Sequence, residues 1–169
     1  MSDIVVRRAG EGFAADWGAG PRPCAVGRAG IGDKRREGDG VTPAGIWPLR
    51  RIFYRADRVT PPRTWLPLAP IAPGDGWCDA PDDPRYNQFV RLPYPSGAEN
   101  LWRGDALYDL VAVAGFNDAP VVAGKGSAIF LHLAAPGYAP TEGCVALALA
   151  DLLEALAQFA PEDRLRIEG

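Results

Sequence analysis

A mainly β or mixed domain with many turns and a short helix or two is what the sequence predicts, and three observations carry that expectation. Twenty glycines and seventeen prolines are spread through 169 residues without low-complexity repeats, which suits a chain of many turns. The apolar runs are short and bounded by Gly, Pro, Asn and Asp. Helical spacing is clear only near the carboxyl end. A single domain over residues 1–169 follows from length, since such a chain buries roughly 70% of its unfolded surface. Hydrophobic residues at 47% and charged ones at 23% supply an ordinary soluble core and surface.

From the amino terminus, Ile4 to Arg8 reads as a strand, Gly10-Glu11-Gly12 as a turn, and Phe13 to Trp17 as the next strand. Pro23 to Arg28 makes a third, with Cys24 in its core. Residues 30–40 are a loop, and within it Lys34-Arg35-Arg36 is broken at once by Glu37 and Asp39. That cluster reads first as solvated; a grip on a substrate carboxylate is the second reading. Ile46 to Arg55 is expected to be one strand, with Pro48 marking an edge or a bulge. The prolines of residues 57–87 exclude a long helix and predict an ordered insertion lining the way to the site, with Tyr86 in it. Cys78, beside Asp79, is assigned to packing or to a wall of the site. Ser96 to Arg103 is expected to form a helical turn, Leu107 to Phe116 a strand, and Asn117 to Pro120 a turn. Asp151-Leu152-Leu153-Glu154 has capping-box spacing, so a helix should follow, burying Leu152, Leu153, Leu156 and Phe159 until Pro161 stops it. Arg164 to Glu168 alternates as a final half-buried strand.

The stretch best suited to chemistry runs from Ser127 to Leu147. An apolar strand, Ser127 to Leu133, carries the single histidine, His132, at its end. A loop with Pro136, Gly137 and Pro140 turns the chain back, and Gly143-Cys144 opens a second apolar run. A free cysteine of pKa ~8.5 is only a few per cent thiolate at neutral pH, and an adjacent imidazole lowers that pKa. His132 could later return the proton to a departing amine. The N–H groups of Gly143 and Cys144 could then face a developing oxyanion, where one donor is worth ~2.7–4 kcal/mol. An inert buried thiol beside a core histidine is the competing reading of these residues.

Thr141-Glu142-Gly143-Cys144-Val145 resembles the Ser/Thr-x-Gly-Cys-Ile/Val signature of the L,D-transpeptidase (YkuD-type) catalytic domain. That family also sets its histidine upstream at a strand end, as His132 stands. Glu37 to Leu49, with Thr42-Pro43-Ala44-Gly45-Ile46-Trp47, is similar to the family's Thr-Pro-x-Gly-x-Phe hairpin. Tyr108 to Asn117 resembles a core strand ending in asparagine. The resemblance spans roughly residues 22–150 and implies a YkuD-like sandwich with Cys144 as nucleophile and His132 as base. It departs from the family at Glu142, which often is histidine there, and at Ala146, where arginine commonly helps to organise the site or its ligand.

The resemblance implies acyl transfer on peptidoglycan stem peptides, with no cofactor and no metal; one His and three scattered Cys also lack zinc-ligand spacing. Thr141, Glu142, Arg103, Trp102 and Tyr86 are the expected substrate-binding residues, Arg103 because a guanidinium can hold a carboxylate through two hydrogen bonds; a plain surface arginine beside a core tryptophan is the equal reading of Arg103 and Trp102. A net charge of −3 argues against nucleic acid as partner. No apolar run approaches membrane-spanning length and no secretory signal pattern is visible, so a cytoplasmic location is expected. The expected reaction there is L,D-carboxypeptidase cleavage of muropeptide tetrapeptides; crosslinking transpeptidation and a non-catalytic muropeptide-binding module are the alternatives. The oligomeric state is open.

Overall fold

The computed structural model describes residues 2–169. In chain order its strands are β1 (Ile4–Ala9), β2 (Gly12–Asp16), β3 (Arg22–Cys24), β4 (Ile31–Gly32), β5 (Thr42–Pro43), β6 (Gly45–Trp47), β7 (Leu49–Tyr54) and β8 (Leu68–Pro70). They continue as β9 (Asp75–Cys78), β10 (Phe89–Arg91), β11 (Ala98–Asn100), β12 (Leu110–Ala114), β13 (Phe130–Leu133), β14 (Val145–Leu147) and β15 (Leu165–Ile167). One helix, α1 (Leu149–Gln158), and a 3-10 turn at Pro136–Tyr138 complete it. The expectation of a mainly β sandwich with one or two short helices therefore holds.

Two five-stranded sheets face each other, in the orders β3-β2-β1-β15-β6 and β14-β13-β12-β7-β8. Between them lie Ile4, Val6, Ile52, Leu110, Leu131, Val145, Leu165 and Ile167, with Leu152, Leu156 and Phe159 closing one end. The second sheet is covered on its other face as well. A small third sheet, β10-β9-β11, brings Trp77 against Phe53, Val111, Val113 and Phe130. Burial on both faces explains why β12, Leu-Val-Ala-Val-Ala, is apolar throughout instead of alternating. Asn87, at φ 59°, ties the third layer to the sandwich: its Nδ2 donates to the Phe116 and Asn117 carbonyls (2.9 Å each), and its Oδ1 accepts from Trp77 Nε1 and Ala128 N–H (3.0 Å each).

Several expectations are corrected. Residues 46–55 are two strands, because Pro48 is where the chain leaves one sheet for the other: β6 pairs with β15, and β7 with β12. The segment expected as a helical turn at Ser96–Arg103 contains β11, paired antiparallel with β9. Residues 57–87 hold β8 and β9 and are not one long loop. The regular parts of Pro23–Arg28 and Leu107–Phe116 shorten to Arg22–Cys24 and Leu110–Ala114. The capping box fails: α1 starts at Leu149 with Ala148 as an N-cap lacking any side-chain bond, and Asp151 instead meets Arg22 at 3.4 Å. The last strand, β15, sits inside its sheet, parallel to β1 and antiparallel to β6.

Candidate active site

Strand alternation places the histidine. Leu131 and Leu133 point between the two large sheets, so Phe130 and His132 must point to the opposite face, where the third layer leaves a cleft. The connection from β13 does not return as a hairpin. Residues 134–144 cross back so that β14 runs parallel to β13, with Leu131 beside Val145 and His132 beside Ala146. Cys144 thus stands level with Phe130, and His132 lies two residues further along, about 7 Å of strand rise.

Hydroxyl clamps fix the backbone around the thiol. Thr141 Oγ1 donates to the Cys144 carbonyl (2.6 Å) and accepts from Gly143 N–H (3.1 Å). From the other side, Thr42 Oγ1 donates to the Gly143 carbonyl (2.9 Å) and accepts from Gly27 N–H (2.7 Å). Gly143 has φ 145°, and a Cβ there would meet the Val41 carbonyl oxygen at 2.9 Å, so only glycine fits before this cysteine. The pairing of Gly143 N–H with Thr141 differs from the expected free oxyanion donor.

Cys144 is 8% exposed. Its thiol donates to the Ala128 carbonyl (3.1 Å) and accepts from Phe130 N–H (3.4 Å). Burial pushes the thiol up to about 12, the Glu99 carboxylate adds to the rise, and Phe130 N–H and Lys34 oppose it. The expected lowering by imidazole is absent because desolvation dominates. Burial likewise lowers His132 from the usual imidazole range, against the opposing pull of the Leu133 carbonyl. That carbonyl lies 2.8 Å from Nδ1 and can only accept, so Nδ1 carries the proton and Nε2 keeps its lone pair. The Tyr108 ring packs edge-on against the imidazole at 5.3 Å, and its hydroxyl donates to Glu99. Burial raises Glu99, partly offset by Tyr108 and Arg103.

Cys144 and His132 both line a cleft of about 550 Å³. Of the expected ligand-binding residues, Thr141, Glu142 and Arg103 line it too. Glu142 is largely exposed at the rim, 3.5 Å from Arg28, while Arg103 is held by Asp105 through two bonds (2.8 and 2.7 Å). Trp102 and Tyr86 do not line it. Trp102 lies outside the cleft under the Arg55 guanidinium, 3.5 Å from its ring. Tyr86 is 2% exposed and acts from behind, donating to Glu37 and accepting from Gly126 N–H (2.9 Å). The insertion contributes only Asp79 to the lining. Cys78 is in the core, its thiol raised by burial, and burial holds the Cys24 thiol up at about 12.

Sequence reasoning missed Glu37, Glu99, Tyr108 and Ser127 as lining residues, and gave the Lys34 cluster a ligand role only as its second reading. Lys34 is the plainest correction: it is 5% exposed and pairs with Asp39 at 2.6 Å, while Arg35 and Arg36 are solvated as expected. Ala146, where the family commonly has arginine, is buried beside His132 and offers no polar group.

A buried cysteine and a neutral histidine opening on one peptide-sized cleft make this a candidate cysteine acyl-transfer centre. Residues 4–167 match the YkuD family, the L,D-transpeptidase catalytic domain, and the chain belongs to that family. No curated protein matches it, and no solved structure does. Membership makes it a cysteine-dependent enzyme of the L,D-transpeptidase type, directed at peptidoglycan.

Proposed function

We propose that the protein is an L,D-carboxypeptidase that removes the terminal D-alanine from muropeptide tetrapeptides in the cytoplasm. The observation that carries the chemistry is the shared cleft of Cys144 and His132, with Nδ1 committed to Leu133 and Nε2 left to take a proton. Cys144 Sγ, once its S–H turns from the Ala128 carbonyl into the cleft, attacks the carbonyl of the diamino acid at the third stem position as the proton passes to Nε2. The oxyanion is met by Cys144 N–H, and by Gly143 N–H once it leaves Thr141 Oγ1. Collapse breaks the peptide bond, His132 protonates the departing D-alanine amine, and a thioester remains. Water then attacks the thioester, giving a proton to Nε2, and the thiol is restored.

Crosslinking is the second reading, and one observation favours it. A further groove of about 560 Å³, with Arg8, Phe13, Arg28 and Tyr138, shares Pro140 with the lining of the first and has the volume for a second stem peptide. A soluble tetrapeptide incubated with and without an amine acceptor, its products weighed, decides between them. Tripeptide plus D-alanine is expected in both tubes; crosslinked dimer as the main product would replace hydrolysis by transpeptidation. Binding without any turnover would leave the non-catalytic module.

A further inference from the structure

We infer that Lys34 is the residue that grips the free terminal carboxylate of the leaving amino acid, and so makes the enzyme act at peptide ends. The inference rests on the carboxypeptidase reading above and adds a specificity-determining residue to it. An ammonium has three N–H donors. Lys34 Nζ gives one to Asp39 Oδ1 (2.6 Å) and makes no other hydrogen bond among the described residues. Asp39 does not depend on that partner alone, because its carboxylate also accepts from the N–H groups of Val41 (3.0 Å), Arg35 (3.1 Å) and Arg36 (3.3 Å). The loop therefore satisfies its own acid, and Lys34 retains donors at the cleft wall.

The place is right for an anion one residue beyond the scissile bond. A Cβ on Gly143 would lie 3.6 Å from Lys34 Nζ, and one on Gly126 would lie 2.5 Å from its Cε. The ammonium is thus wedged between those glycines, next to the residue that precedes the nucleophile. Lys34 and Cys144 line the same cleft, and the terminal carboxylate of the leaving amino acid stands a single residue, ~3.8 Å of chain, beyond the scissile bond. Arg103, the other cation of the lining, has its fork occupied by Asp105. Ala146 has no group to offer.

The test compares a tetrapeptide ending in free D-alanine with the same peptide as its terminal amide. Wild type should favour the acid in kcat/KM by roughly 10- to 100-fold, the worth of a charge-assisted hydrogen bond. In Lys34→Gln the acid should fall to the level of the amide, and Lys34→Arg should recover part of the preference. Equal losses on both peptides in Lys34→Gln, or movement of the preference to an Arg103→Gln variant, would overturn the assignment. If the Lys34 variants do not fold, the wild-type ratio alone decides, since a ratio near one removes any role for a carboxylate grip. If wild type hydrolyses neither peptide, the proposed reaction is wrong, and dissociation constants of acid and amide for the intact chain still decide Lys34: tighter acid binding supports it, equal binding refutes it.

Discussion

Cys144 and His132 line the cleft of the resting protein as a neutral thiol and a neutral imidazole, because burial disfavours the charged form of each. With the thiol pushed up to about 12 by burial, the thiolate is a minor species at pH 8. Reactivity must then come from proton transfer to Nε2 while the S–C bond forms, not from a standing ion pair. A carbapenem, which carries its own acyl group into the cleft, should give a single adduct on Cys144, absent in Cys144→Ala and strongly slowed in His132→Ala. Iodoacetamide, a small alkylating agent, should label Cys144 slowly at pH 7, its rate climbing with pH toward 12 without a plateau near 8.5. Mass mapping of the adducts checks both, and equal carbapenem labelling of Cys24, Cys78 and Cys144 would remove the enzyme. The two central residues were legible because their types are rare in this chain and each borders an apolar run. Lys34 was legible only as one of three basic residues with a carboxylate grip as second reading, because nothing local separates a buried lysine from the exposed Arg35 and Arg36 beside it. Glu99 and Tyr108 were hidden for another reason: they reach the site on separate elements, and only the docking of the third sheet joins them.

Among the secondary-structure elements, the short strand β5 has more influence on the site than its two residues suggest. Its Thr42 is fully buried and binds the backbone at Gly27 and Gly143, so one hydroxyl fixes the segment before the nucleophile. Gly27 must lie against this junction without a side chain, since a Cβ there would be 2.1 Å from the Gly40 carbonyl oxygen. Thr42→Val keeps the shape but strands a buried N–H and a buried carbonyl. Leaving such groups unpaired costs ~1–3 kcal/mol each. The expected outcome is a lower urea midpoint together with a fall in kcat larger than any change in KM, rescued by Thr42→Ser. A stability loss with unaltered kcat would confine Thr42 to folding. The Thr-Pro-x-Gly block was visible in the sequence, yet its contact with Gly143 was not, because the two lie about a hundred residues apart and meet only in the finished fold. Pro48 shows the same gap in reverse. Its ring announced an irregularity, and which sheet each flank joins was decided by β15 and β12.

Across the whole molecule, three sheets pack in layers, and burial within those layers raises several acids at once. Cys24 and Cys144 are pushed up to about 12, and Cys78, Tyr86 and Tyr108 are also raised, burial being the largest cause in each. In the unfolded chain a thiol titrates near ~8.5. Between that value and about 12 the unfolded state has lost thiol protons that the folded state keeps. Fewer protons on the unfolded side make the slope of stability against pH negative. The thiols' contribution is therefore full below pH ~8.5 and declines as pH rises toward 12. Each fully buried thiol contributes a slope of at most about 1.4 kcal/mol per pH unit in that window. At the acid end the sign reverses for Asp39. Burial would raise its carboxyl, but Lys34 and three backbone N–H groups outweigh this and hold it at about 2, so its contribution is lost as pH falls from 3.8 through 2. Chemical unfolding in the presence of reductant, measured at intervals from pH 7 to 11, should show the alkaline decline directly. Cys24→Ala should flatten it by one group's share, and the Cys24→Ala, Cys144→Ala pair by two. A wild-type profile that stays level to pH 11 would mean the thiols meet water in the folded state, and the dry packing around Cys24 and Cys144 would have to be abandoned.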